Sequence, residues 1–304
     1  MDHTLGLVRD LVGRCRVPAG TAVSMGRDFD PASVDGALSR REGTAQLDRV
    51  VKILEDYQDR LSAEATRGVL LVIQALDAGG KDSIIKHVMR GLNPQGVEVH
   101  SFKEPSDEEL RHDFLWRCQR VAPERGRIGI FNRSHYEDVL VVRVHPELLQ
   151  GRGGSDRPGT ASIWKHRFRE INDWERHLVA NDIAVVKVLL NVSKPEQAKR
   201  FLKRIDRPEK NWKFAPSDIH ERRYWDDYQR AFGDMLSHTS TEWAPWHVVP
   251  ADHKWFARLA TAAILAQTLI DINPQYPKVD ASVRQQMAAD RVALVAELRG
   301  SSES

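Results

Sequence analysis

The most constraining feature of the chain is the run Gly68–Ala75 (GVLLVIQA). It passes directly into Leu76-Asp-Ala-Gly-Gly-Lys-Asp-Ser83 and then into helical spacing at Ile84, Ile85 and Val88. An unbroken apolar stretch, rich in β-branched residues and closed by a turn, fits a strand buried on both faces. Such a strand needs helices above and below it. Four more runs read as strands: Val97–Phe102, Arg127–Phe131, Ile183–Leu190 and Trp246–Val249. Helical periodicity lies between them at 44–64, 162–180, 194–207, 217–237 and 253–271, with a last helix at 281–299. A capping box at Ser106–Glu109 opens a further helix to about Arg120. Strands alternating with helices predict an α/β fold with a mostly parallel sheet covered on both faces. Residues 1 to about 40 read as an irregular arm, and the glycine-rich segment 151–159 as a mobile surface loop.

Strand, glycine turn, lysine and helix are the order of a phosphate-binding loop. Successive N–H groups at the helix N-terminus surround phosphate oxygens, glycines allow close approach, and the lysine adds charge. Ala78, Gly79, Gly80, Lys81, Asp82 and Ser83 occupy those places. The strict G-x-x-x-x-G-K-[ST] (Walker A) pattern is not met. Ala75 stands where the first glycine belongs, and Asp82 where the magnesium-binding hydroxyl belongs, with Ser83 one later. A plain helix entry with two glycines gives the same letters. Asp77 is an acid inside an anion loop. Either it holds a magnesium ion, directly or through water, or it caps the turn.

The strand Arg127–Phe131 ends in Asn132-Arg133-Ser134, followed by His135-Tyr136-Glu137-Asp138. Ligands bind at the carboxyl ends of strands in open α/β sheets, so Arg133 should share a crevice with Lys81. Its guanidinium suits phosphate oxygens and charge in transfer. Glu137, one turn into the next helix, is either a metal contact or a solvated helix residue. Asn132 stands where P-loop enzymes usually carry an acid, which makes a nearby carboxylate more necessary.

Residues 194–213 contain eight basic and three acidic residues, a net +5 in a chain whose total is +2. The rest is therefore mildly acidic. On a helix, Ala198, Phe201, Leu202 and Ile205 form an apolar stripe, while Lys199, Arg200, Lys203, Arg204 and Arg207 gather on the opposite arc. Solvated faces normally mix signs, so this arc reads as a track for an anion. The near-neutral total argues against a chain that is basic all over, as many nucleic-acid binders are. Two distant cysteines, Cys15 and Cys118, make neither a disulfide framework nor a zinc site. No signal-peptide core and no window of about 18 apolar residues is seen. The expectation is a cytoplasmic protein with no membrane and no nucleic-acid partner.

Together these residues resemble polyphosphate kinase family 2. The blocks that carry the resemblance are ALDAGGKDSIIKHVMRGLNPQGVEVHSFKEPS (75–106), DFLWR (113–117), PERGRIGIFNRSHYEDVLVVRVHPE (123–147), KRFLKRIDRPEKNWKF (199–214) and APWHVVPADHKWFAR (244–258). The resemblance implies a three-layer P-loop fold of nucleoside-monophosphate-kinase type, with a helical lid at about 194–225. The domain would run over 44–275, between an arm (1–43) and a C-terminal helix and tail (276–304). It implies transfer of a terminal phosphate between inorganic polyphosphate and a nucleotide, with Mg2+. Asp77, Lys81, Arg133, Arg200 and Arg204 are the implied functional residues; Glu137 follows the FNRS block at 131–134. FNRS at 131–134, where other branches have FDRS, looks like the class III branch, which accepts nucleoside mono- and diphosphates. Gly79, where many members have Ala, is a departure. A homodimer or homotetramer is implied in the same way.

Two other readings compete. An ATP-dependent nucleoside monophosphate kinase of thymidylate-kinase type shares the loop and the arginine after the strand, but three phosphates need fewer cations than this arc supplies. A non-catalytic binder of phosphate polymers or nucleic acid would use the basic face and have no turnover to lose.

Overall fold

A computed structural model of the chain describes residues 2–34, 38–149 and 161–300. The expected loop at 151–159 lies outside the described residues. The rest divides into two units, 1–274 and 275–304. The second is built on one exposed helix, Ala281–Gly300.

The first unit is an α/β domain around five parallel strands: β1 (Gly68–Gln74), β2 (Val97–Ser101), β3 (Ile128–Asn132), β4 (Ile183–Asn191) and β5 (Trp246–Pro250). Their order is β2-β3-β1-β4-β5. Each lies within a residue or so of the expected run, and every residue of β1 is buried. Side chains of a strand alternate between faces, and the core follows that period. Val69, Leu71 and Ile73 join one apolar layer, with helices Arg40–Glu64 and Lys254–Ile272. Leu70 and Val72 join the other, with helices Ala161–Ala180 and Trp225–Thr239. The sheet is the middle of three layers, as expected.

Four expectations are corrected. The N-terminal segment is no irregular arm: Asp2–Cys15 is a helix whose Val8, Leu11 and Cys15 are buried in the first layer. Apolar residues three or four apart outweigh its two glycines. Val17 N then donates to Trp246 O at 2.8 Å, tying the segment to β5. The capping box at Ser106 is present, with Ser106 N to Glu109 Oε2 at 2.8 Å. However, it opens only a 3-10 turn, Glu109–Arg111, because Asp113 then takes the N–H groups of Leu115 and Trp116 and starts a separate short helix, Trp116–Gln119. The predicted helix 217–237 is three pieces: Pro216–Glu221, a 3-10 turn Arg222–Tyr224, and Trp225–Thr239. Lastly, Lys254–Ile272 is long and apolar enough to cross a membrane, with a mean hydropathy of 1.3. It is a core helix lined by alanines and leucines buried against the sheet. Cys15 and Cys118 are both buried thiols.

Candidate active site

β1 delivers the phosphate loop, and the adjacent β3 delivers Arg133, from the same end of the sheet. The loop turns through left-handed backbone at Ala78 (φ 59°) and Gly80 (φ 114°) and is closed by Gly79 N to Leu76 O at 2.9 Å. Gly80 then caps the helix Lys81–Val88. Lys81 folds back on this turn, its Nζ donating to Ala75 O at 2.7 Å. Burial lowers the Lys81 pKa; Asp77 and Glu137 oppose that, and Arg133 adds to it.

The lid helix, Lys194–Ile205, holds the carbonyl side of the loop. Gln197 Nε2 donates to Asp77 O at 2.9 Å, and Arg200 Nη1 to Ala78 O and Gly79 O at 3.1 and 2.8 Å. A planar peptide sends its N–H opposite its C=O, so fixing these carbonyls on the lid fixes the N–H directions. Arg200 also reaches Ala251 O and Glu196, and is buried. It is therefore a clamp within the protein, apart from the expected cationic arc. The arc is corrected further. The buried face of the lid helix carries Gln197, Arg200 and Phe201, while Leu202 and Ile205 are exposed. Loop carbonyls need donors, and an apolar stripe supplies none. Lys199, Lys203 and Arg207 are exposed, whereas Arg204 lies partly buried over the Phe201 ring and reaches Asp218 at 3.4 Å.

Arg133 and Asp77 meet at 2.7 Å; burial works to lower the Arg133 pKa, but Asp77 and Glu137 together raise it. Arg133 itself has φ 64°, a strained value for a side-chain-bearing residue. Glu137 lies on a 3-10 turn, His135–Val139, in place of the expected helix. Burial raises its pKa against the pull of Arg133 and Lys81. The structure thus brings Asp77, Lys81, Arg133 and Glu137 together. It turns two loop residues away. Ser83 Oγ accepts from Arg258 Nη2 at 2.9 Å, and Asp82 pairs with Lys213 at 2.8 Å and with Asn132 at 3.3 Å. The Asp82 pKa is lowered by Lys213 against the effect of burial.

Arg133 and Glu137 line two cavities. One is a narrow crevice under the lid, with Asp77, Gln197, Asp218 and Trp225 in its walls. The other, of about 580 Å3, opens beside Phe102, Arg117, Val142 and Leu148. Sequence reasoning missed Gln197, Asp218, Arg222 and Tyr228. Arg222 Nη1 holds Gln197 Oε1 at 2.6 Å, and Tyr228 OH donates to Glu221 at 2.9 Å. The one available signal was the spacing of Gln197 three residues before Arg200, which puts both on one helical face.

The sequence profile of the family described as Polyphosphate kinase 2 (PPK2) matches residues 37–277. The chain belongs to the polyphosphate kinase 2 family. A relative from Rhodopseudomonas palustris, an ADP-polyphosphate phosphotransferase, is 48% identical over 282 residues, covering 92% of this chain and 97% of its own. An AMP/ADP-polyphosphate phosphotransferase from Meiothermus ruber is 43% identical, covering 82% and 90%. The crystal structure of polyphosphate kinase 2 from Arthrobacter aurescens TC1 superposes with a TM-score of 0.82 at 39% identity, covering 91% of this chain and 95% of that one. The PPK2 fold is thus the P-loop kinase architecture described above.

Proposed function

We propose that the chain phosphorylates nucleoside mono- and diphosphates from inorganic polyphosphate, by in-line phosphoryl transfer. The observation that carries this reading is that Arg133 and Glu137 stand in the walls of both cavities. A donor under the lid and an acceptor in the larger cavity would both reach these two side chains. Phosphoryl transfer is mostly positioning and charge stabilisation, and the residues divide that work. The loop N–H groups and Lys81 bind the donor's terminal phosphate, Lys81 leaving Ala75 O to do so. Lys199, Lys203, Arg204 and Arg207 carry the polyphosphate tail, with Arg200 shaping the loop. Arg133 orients the acceptor phosphate. The lid excludes water and so suppresses hydrolysis.

The oxygens present suit magnesium. Asp77 and Glu137 are hard carboxylate donors, and Asn132 Oδ1, at the end of β3, is buried with no hydrogen-bond partner. No group of three or more candidate metal-binding side chains occurs among the described residues. Magnesium is commonly held by one or two carboxylates together with substrate phosphates and water. Asp77 and Glu137 would hold it, and bound there it would neutralise charge on the phosphoryl oxygens. In the cell the chain would act as a cytoplasmic homodimer or homotetramer, without nucleic acid or membrane.

Incubation with AMP, Mg2+ and long-chain polyphosphate, without ATP, should yield ADP and ATP. Turnover with ATP as the only effective donor would overturn the reading in favour of a nucleoside monophosphate kinase.

A further inference from the structure

Behind the site lies a charged network that the reaction itself does not use. Lys187 sits in the middle of β4, between Val185 and Leu189 on the face turned to the second apolar layer. Its side chain and that of Glu175 are fully buried. The ammonium donates to three acceptors from three segments: Glu175 Oε2 at 2.6 Å, Tyr136 OH at 3.0 Å and Thr239 O at 2.6 Å. All three N–H donors of a lysine are thereby satisfied. Tyr136 OH in turn donates to Glu175 Oε1 at 2.7 Å, and His135 Nε2 lies 3.3 Å from the same oxygen. The rings of Tyr136 and Trp246 flank the ammonium at 5.5 and 5.4 Å. A buried ion pair is weak grounds for stability, since apolar side chains of similar volume often do as well. Its consequence here is geometric. Tyr136 and His135 lie between Arg133 and Glu137 in the chain. Arg133 adopts a strained φ of 64°, which persists only where its surroundings over-determine it. One anchor lies before the turn, Arg133 N to Ile73 O at 3.2 Å. A second lies on Ser134, whose Oγ accepts from Gln74 Nε2 at 3.0 Å. The third is the network, which grips the turn from below and joins it to the C-terminal end of the Trp225–Thr239 helix. The other end of that helix supplies Trp225 and Tyr228 to the crevice wall.

We propose that Lys187 and Tyr136 are positioning residues for phosphoryl transfer: the Glu175–Lys187–Tyr136 network fixes the Arg133–Glu137 segment and so sets where those two side chains present their charges. This rests on the reading of Arg133 as an acceptor-phosphate ligand, and the test separates the two.

Tyr136→Phe removes one hydroxyl and leaves the ion pair. It should lower kcat about 10- to 100-fold, the range of a misplaced reacting group, with KM for polyphosphate within about twofold, while the hydrogen bonds lost to Lys187 and Glu175 lower the thermal midpoint by a few degrees. Arg133→Lys should lower kcat by itself. Because Tyr136 acts through Arg133, the double variant should be little worse than Arg133→Lys alone. Full kcat in Tyr136→Phe, or effects that multiply in the double variant, would overturn the positioning role while leaving the Arg133 reading intact. Full kcat in Arg133→Lys would overturn both. If Tyr136→Phe does not fold, Glu175→Gln combined with Lys187→Met removes both buried charges together, and the same comparison with Arg133→Lys decides.

Discussion

The guanidinium of Arg200 meets the carbonyl oxygen of Gly79 at 2.8 Å, across 121 residues of chain. Lid helix and phosphate loop are thereby one mechanical piece. Arg200→Ala leaves buried loop carbonyls without donors, at a cost of about 3 kcal/mol in stability. Its loss of activity should be the same for short and long polyphosphate. Lys203→Ala, on the exposed face, should weaken long chains more than short ones and leave the melting temperature alone. Steady-state KM across a chain-length series checks both. Chain-length dependence for Arg200→Ala would return it to the tail-binding set.

Lys81→Ala should reduce kcat by at least about 100-fold, the usual effect of removing one preorganised charge donor at a developing negative charge. Binding of polyphosphate should fall only modestly, because the loop N–H groups and lid cations remain. Turnover and equilibrium binding of long-chain polyphosphate, measured side by side, separate the two. A non-catalytic binder would show no turnover in the parent chain.

Ala75 and Gly79 share one space. A Cβ added to Gly79 would lie 2.6 Å from the Ala75 Cβ and 2.7 Å from Leu76 O. Gly79→Ala should therefore destabilise by about 1–3 kcal/mol, as overpacking does. Ala75→Gly in the same chain should recover the Cβ–Cβ part and leave the carbonyl part. Denaturant melts of both singles and the double variant give the coupling, expected above about 0.5 kcal/mol. Ala75, a departure from the strict phosphate-loop pattern, and Gly79, a departure from the family, are then sterically coupled.

Acid should unfold the protein partly through His247. Burial brings its imidazole from the ordinary 6.5 down to about 4, the hydrogen bond to the Lys187 backbone opposing, Arg16 adding to the fall. A folded-state pKa below the unfolded value means the contribution is fully present above about pH 6.5. It is lost as pH falls toward 4, because the unfolded chain binds the proton more readily. The difference is about 3 kcal/mol. Urea melts at pH 7 and pH 4.5 measure the loss, and His247→Gln should make it shallower.

The strands were legible because burial on two faces leaves an unbroken apolar run, and all five lie within a residue or so of where those runs end. The meeting of Asp77, Lys81, Arg133 and Glu137 was legible because adjacent parallel strands release their loops at the same edge. The lid was not. Periodicity assigns the apolar stripe to the core, but this helix packs on backbone carbonyls, so Arg200 and Gln197 are buried and Leu202 faces water. No pattern within the helix reveals what it packs against. The Asp2–Cys15 helix was hidden by its glycines, and the break after Glu221 by the absence of a proline or glycine between Ser217 and Phe232.

The clamp from the lid also bears on the order in which the protein is made. Synthesis runs from the N-terminus, so β1, its glycine turn and the helix Lys81–Val88 emerge long before Gln197 and Arg200 exist to hold the carbonyls of Asp77, Ala78 and Gly79. The anion nest is thus a late product of folding, closed by contacts of long sequence separation. A nascent chain that ends before residue 197 carries every letter of the loop and lacks its finished shape. For the same reason, the segment 68–88 grafted alone onto another sheet would bring the motif without the residues that set its geometry.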